Sequence, residues 1–148
     1  MKPSLYIILS FICLNFFSFN YAQNFNSNSE KNKQESESSK VFSEISQGIS
    51  NSNVDVIAGH FSPQTYLSLS NGISGYYSSN QAYYVLEDFF KIYRVTAFRF
   101  DNIQADSNNP YATGEYQFEY RGKRDIAQVY ISLKKSGNNW KITQITIN

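Results

Sequence analysis

"QAYYVLEDFFKIYRVTAFRF", residues Gln81 to Phe100, changes its period in the middle. From Ala82 to Tyr93 the apolar positions are Ala82, Tyr83, Val85, Leu86, Phe89, Phe90, Ile92 and Tyr93, while Glu87, Asp88 and Lys91 share the opposite side. That is an amphipathic helix with a wide apolar face. Ser78 and Gln81 stand where a capping box would satisfy the free amides of its first turn. Glu87 and Lys91 form an i,i+4 pair with the acid first. From Arg94 onward the period falls to two, with Phe98 and Phe100 on one face and Arg99 and Asp101 on the other. A helix running straight into a strand, both rich in rings, predicts a helix laid against a sheet. Phe89, Phe90 and Tyr93 then face Phe98, Phe100, Tyr116 and Phe118 as packing.

Upstream, "KVFSEISQGISNSN" spaces Val41, Phe42, Ile45 and Ile49 by three and four, which predicts a helix with one buried stripe. A short helical turn follows, with Asn53 as cap, Val54, Ile57, Ala58 and Phe61 on one side, and Pro63 closing it. "QTYLSLS" and "ISGYYS" around Asn71-Gly72 read as a hairpin from Gln64 to Tyr77. Downstream come three more strands. "YATGEYQFEY" sets Tyr116, Phe118 and Tyr120 against Glu115, Gln117 and Glu119, and "DIAQVYISLKK" sets Ala127, Val129, Ile131 and Leu133 against Gln128, Tyr130 and Ser132. "WKITQITIN" alternates Trp140, Ile142 and Gln144 against Lys141, Thr143 and Ile145. Short turns join these strands, so consecutive ones are expected to pair antiparallel, leaving an apolar face that only the helices can cover. The predicted class is α+β: a strongly curved antiparallel sheet packed on two or three N-terminal and central helices.

That order of elements resembles the cone of the nuclear transport factor two-like (cystatin-like) superfamily. Within it, the sequence is similar to a family of small exported Bacteroidota proteins of undefined function. The stretches that carry the likeness are "VFSEISQGISNSNVDVIAGHFSPQTYLSL", "GYYSSNQAYYVLEDFFKIYRVTAFRF" and "GEYQFEYRGKRDIAQVYISLKKSGNNWKITQITI", with Ser78, Gln81, Ala82, Asp88, Phe89 and Phe90 as the central phrase. The wider superfamily implies isomerases, cyclases and dehydratases that place an Asp, or a His with an Asp, inside the cone. The nearer family implies no catalytic residues.

The N-terminus has the form of a secretory signal over residues 1–22, with Lys2, an apolar run from Leu5 to Phe17 and an exit at Ala22. Its unbroken apolar runs are shorter than a bilayer requires, so no stable span is expected once the signal is cleaved. Bulky Phe11 and Ile12 argue against a lipidation site at Cys13. Residues 23–39 hold one large apolar side chain, Phe25, and read as a flexible leader. Residues 40–148 then form one domain. Without its signal the chain keeps twelve basic and twelve acidic residues and no cysteine, which excludes thiol chemistry and gives no general electrostatic attraction to nucleic acid. "RGKRD" is a turn diluted by acids rather than a phosphate-tracking groove.

One histidine, His60, cannot make a multi-histidine metal site, and neither a metal nor a cofactor is expected. At the end of a short helix it reads as a terminal residue facing free carbonyls. His60 with Asp101 is the alternative catalytic set. Asp106 sits in a turn and Asp125 opens a strand beside Arg124, and no two carboxylates are spaced as a general acid and base. Tyr66, Tyr116, Tyr120 and Tyr130, with Arg99, are the residues that could edge a ligand pocket. An exported protein of the periplasm or outer envelope of a Gram-negative bacterium is therefore expected to bind rather than catalyse. Its partner would be a small apolar ligand, an envelope protein or a second copy, and a purely structural accessory role is the further alternative. Ile73, Tyr76 and Tyr77 at the first hairpin are the candidate partner patch.

Overall fold

The computed structural model describes residues 36–148, so the signal and most of the leader lie outside the described residues. Helix α1 spans Glu37–Ser50, and Ser36 caps it by accepting a bond from the Ser39 amide at 3.2 Å. Its first turn therefore takes in residues read above as leader. Ser38 is the reason: its hydroxyl is buried and donates to the Ala105 carbonyl at 2.8 Å, tying the helix start to the sheet. Helix α2 is Val54–Ala58, capped by Asn53. Helix α3 is Ser79–Ile92, and both halves of the Ser78–Gln81 capping box are formed. It buries Ala82, Leu86, Phe89 and Phe90, while Ile92, read as part of the apolar face, is largely exposed at its end.

The strands are β1 (Phe61–Leu69), β2 (Ser74–Ser78), β3 (Arg94–Gln104), β4 (Tyr111–Tyr120), β5 (Lys123–Ser136) and β6 (Asn139–Ile147). They form one sheet in the order β2-β1-β6-β5-β4-β3. Every sequential pairing is antiparallel, as the short turns predict, but β1 and β6 meet in parallel. The sheet is thus mixed. That junction joins the first hairpin to the last strand, with the long excursion through α3 and β3–β5 as its crossover.

Pro63 lies inside β1 rather than closing α2. The β1–β6 ladder is interrupted between Phe61 and Tyr66, so the missing proline amide falls where no ladder bond is needed. Buried Thr65 bridges the gap with its hydroxyl, which donates to the Ile142 carbonyl at 3.0 Å. A second irregularity corrects the reading of β6. The register slips between Ser132 and Leu133, Thr143 is the extra residue, and Ile142 and Ile145 both turn inward with Ile147.

Curvature comes from β3, whose pairing with β4 shifts at Val95–Ala97 and again at Phe100–Asn102. At the second bend the backbones close in. A Cβ on Gly114 would lie 2.1 Å from the Arg99 carbonyl oxygen, so only glycine fits there. The β4–β5 hairpin turns on Arg121 and Gly122, both at positive φ. In the β1–β2 loop Gly72, not Asn71, takes the positive φ.

The concave face holds one core. Phe42, Ile45 and Ile49 from α1 and Leu86, Phe89 and Phe90 from α3 pack on the buried residues of the sheet. Phe89 stacks on Tyr93 at 4.7 Å, Tyr93 stacks on Tyr120 at 4.7 Å, and Phe90 lies 6.0 Å from Tyr116. The rings of the opening stretch are packing apart from Tyr84, which is exposed on the outer side of α3.

Candidate functional site

The centre of the cone is taken by Tyr116. Its ring is fully buried and its hydroxyl donates to the Tyr93 carbonyl. Burial pushes that phenol above its ordinary range, which keeps it protonated and committed to the bond. Among the described residues no buried side-chain nitrogen or oxygen lacks a partner. The inner face is thus apolar, with its buried polar groups paired.

The site with unspent chemistry is a cleft of about 460 Å³ between α1 and the β5–β6 turn. Helix α1 contributes Glu37, Lys40 and Glu44 from beside its buried stripe, and Val41 from the edge of that stripe. The α2–β1 corner contributes Gly59 and His60, and the hairpin contributes Asn138, Asn139, Trp140 and Lys141. His60 is fixed at three points. Its amide donates to the Ile57 carbonyl at 2.9 Å, its carbonyl accepts from the Ile142 amide at 2.6 Å, and its Nε2 lies 2.6 Å from a Glu44 carboxylate oxygen. The backbone finishes the helix as expected. The ring instead reaches across to α1, where Glu44 is about one-third exposed at 38% and His60 more enclosed at 20%. Lys141 Nζ donates to the Gly59 carbonyl at 2.6 Å, and the Lys135 ammonium sits 5.8 Å from the centre of the half-buried Trp140 ring.

A second recess of about 460 Å³ is lined by Gln64, Tyr66, Tyr76, Thr143 and Gln144 and holds no charged side chain. A groove of about 600 Å³ beside Phe90 contains Glu87, Lys91 and Arg94, all already in ion pairs with Lys91, Glu87 and Glu119 respectively. A smaller recess of about 270 Å³ lies at the β4–β5 turn.

The residues singled out from sequence do not converge. Tyr116 is core, and Tyr120 stacks on Tyr93 beneath Arg121 while lining the recess at the β4–β5 turn. Tyr130 is on the outer face, stacked on Tyr111 at 5.8 Å. Tyr66 is on that face too, bonded to the Ser74 hydroxyl at 2.8 Å and edge-on to Tyr76. Arg99 is exposed between Asp101 at 3.2 Å and Glu115 at 3.0 Å, and the Glu115 bond chiefly raises its pKa. Asp101 thus pairs with Arg99 and His60 with Glu44, on separate elements. Ile73 and Tyr77 pack against the core, which leaves Tyr76 as the exposed ring of that hairpin. Glu44, Lys40, Trp140 and Lys141 were not singled out. Only Glu44's place beside the apolar stripe marks it in sequence, and nothing local announces a partner sixteen positions away.

Six strands curled over three helices around one hydrophobic core define a nuclear transport factor two-like, cystatin-type cone. The chain belongs to the family of the domain of unknown function DUF4783, whose model matches residues 42–148. It is similar in structure to a DUF4783 protein of Bacteroides uniformis, with a TM-score of 0.65 at 16% identity, covering 72% of this chain and 94% of that one. A cystatin-fold protein of Novosphingobium aromaticivorans matches with a TM-score of 0.57 at 9% identity, covering 74% and 95%. A candidate polyketide cyclase of Acidithiobacillus ferrooxidans matches with a TM-score of 0.58 at 10% identity, covering 77% and 88%. Such identities speak for the fold alone. No curated protein matches the chain. Among the described residues no helix is long and apolar enough to cross a membrane, and no cluster of three or more metal-type ligands occurs.

Proposed function

We propose that this is an exported, non-catalytic binding domain that holds a small molecule in the cleft between α1 and the β5–β6 turn. Export rests on the signal-like residues 1–22, which lie outside the described residues. One observation carries the binding reading. The inner face is occupied by satisfied aromatic core around Tyr116, whereas the open cleft combines an aromatic ring, two amides and charged side chains around a fixed His60–Glu44 pair. Its size is in the ordinary range of small-ligand sites, roughly 300–1,000 Å³.

Native mass spectrometry of the full chain purified from its native cells tests this. A retained small molecule that disappears in Trp140→Ala supports the reading. A second protein chain retained instead, or no retained mass in either form, overturns it. The His60–Glu44 contact also favours a second reading, since a carboxylate that orients an imidazole is one way to build a general base. That reading requires the retained molecule to turn over during incubation and the turnover to stop in His60→Ala.

A further inference from the structure

We infer that the outer face of the sheet carries a second site, for a neutral oligosaccharide laid across the strands. The strand registers define it. Tyr76, Tyr66, Gln144, Ser132, Tyr111 and Gln104 stand opposite one another in turn from β2 to β3. Ser74, Ser68, Thr146, Tyr130, Thr113 and Asn102 form the next row by the same pairings. Both rows point away from the core, because the residues that alternate with them along the strands, Leu67, Ala112, Ile131 and Ile145 among them, are the buried ones. Neither row holds a charged side chain across all six strands, although 17% of the chain is Asp, Glu, Lys or Arg. Charge resumes on either side. Arg99 stands opposite Glu115 beside the second row, and Lys134 opposite Lys141 beyond the first.

The chemistry of these rows decides the class of ligand. An ion finds no counter-charge there, and a nucleic acid finds no basic side chain. A purely apolar molecule would bury the hydroxyls and amides without partners. A stable protein interface has an apolar centre, whereas neither row contains Leu, Ile, Val, Met or Phe. A chain of sugar rings matches what is present, since each ring has a C–H face that lies on an aromatic ring and a rim of hydroxyls that donate and accept. The tyrosines stand in two pairs that brace each other, Tyr66 edge-on to Tyr76 at 5.1 Å and Tyr111 stacked on Tyr130 at 5.8 Å. Tyr66 is held further by its hydroxyl bond to Ser74, and Tyr76 is 73% exposed, which leaves its ring open to a ligand. Between the pairs lies a polar floor. The Ser132 and Thr143 hydroxyls meet at 3.0 Å, and the Gln144 amide donates to the Thr146 hydroxyl at 3.1 Å, which leaves the Gln144 carbonyl oxygen to accept from a sugar hydroxyl. The recess of about 460 Å³ beside Tyr66, Tyr76 and Gln144 opens onto this floor. Strands β1 and β4 are separated by β6 and β5, so the tyrosine pairs lie roughly 14 Å apart, further than one sugar ring reaches.

Cellohexaose, maltohexaose and mannohexaose are neutral probes whose hydroxyls point differently, and glucose is the single-ring comparison. Each is titrated into the nitrogen-15-labelled protein while a proton–nitrogen correlation spectrum is followed. At least one hexasaccharide should move the backbone amides of Tyr66, Gln144 and Tyr130 saturably, with glucose at least about tenfold weaker and the Trp140 indole peak, which reports on the cleft, left in place. Tyr76→Ala should weaken that hexasaccharide about two- to tenfold, Tyr76→Phe should retain it, and Tyr84→Ala on α3 should change nothing. Tyr76 is exposed enough for its variants to fold. Stillness of the face toward all three hexasaccharides overturns the inference, and so does glucose binding as well as they do. Movement confined to Trp140 and His60 would put the sugar in the cleft and likewise overturn it. Face shifts that grow with protein concentration in the absence of sugar would place a second copy of the chain there, and the oligosaccharide site would be wrong.

Discussion

Replacing Phe89 with alanine tests whether the rings of the helix–strand junction are structure. The side chain is fully buried and has three aromatic neighbours, Tyr93 at 4.7 Å, Tyr116 at 5.9 Å and Phe90 at 6.0 Å between ring centres. Removing a fully buried phenylalanine costs about 3–5 kcal/mol in transfer and cavity terms. The upper half of that range is expected, because the neighbouring rings are held by one another and by the Tyr116 hydroxyl bond and cannot collapse into the space. Against a total stability of roughly 5–15 kcal/mol this is a large fraction. At about 4–8 °C per kcal/mol, the melting temperature should fall by at least some 15 °C. Urea melts followed by far-ultraviolet circular dichroism measure it. Tyr84→Ala on the wet side of the same helix, where the ring is 63% exposed, is the control and should stay within about 0.5 kcal/mol. A loss below about 1 kcal/mol for Phe89→Ala would refute the packing account and point to a ring facing a ligand.

Gly114→Ala should destabilise by about 1–3 kcal/mol, since its Cβ would meet the Arg99 carbonyl and force β3 off β4; a neutral effect in thermal melts would show that the bend is not tightly held. Tyr116 links stability to alkaline pH. Its folded pKa is raised by burial, so its contribution is complete below the unfolded value of about 10 and is lost as pH rises above it. Urea midpoints should therefore fall more steeply above about pH 10 in the wild type than in Tyr116→Phe, and parallel curves would contradict the buried, protonated phenol.

The parts of the fold that are written locally were legible. Ser78 and Gln81 announce their cap within one turn, and the change of period at Arg94 marks where α3 ends and β3 begins. The inward alternation of Ala127, Val129, Ile131 and Leu133 likewise needs only β5 itself. What was hidden depends on distant chain. The parallel meeting of β1 and β6 brings Tyr66 to Gln144, and the proline in β1 is tolerated only because the partner ladder is interrupted beside it. Thr143 reads as an ordinary alternating residue until β5 shows the bulge. The candidate site was the least legible part for the same reason. His60 was noticed because it is chemically singular, but Glu44 joins it through the packing of α1 against the α2–β1 corner, and Trp140 joins through a turn at the other end of the domain. Aromatic residues such as Tyr116 and Tyr130 drew attention by type, and their faces were decided by the sheet.

The most direct test of the central claim, that ligand is held in the cleft and not within the cone, is the indole N–H resonance of Trp140 in a proton–nitrogen correlation spectrum. A chain with one tryptophan gives one such peak. Titration with the small molecule retained in native mass spectrometry should move it together with the backbone amides of His60 and Lys141, while those of Phe89 and Tyr116 stay in place. Movement at Phe89 and Tyr116 with the Trp140 peak unmoved would contradict the account.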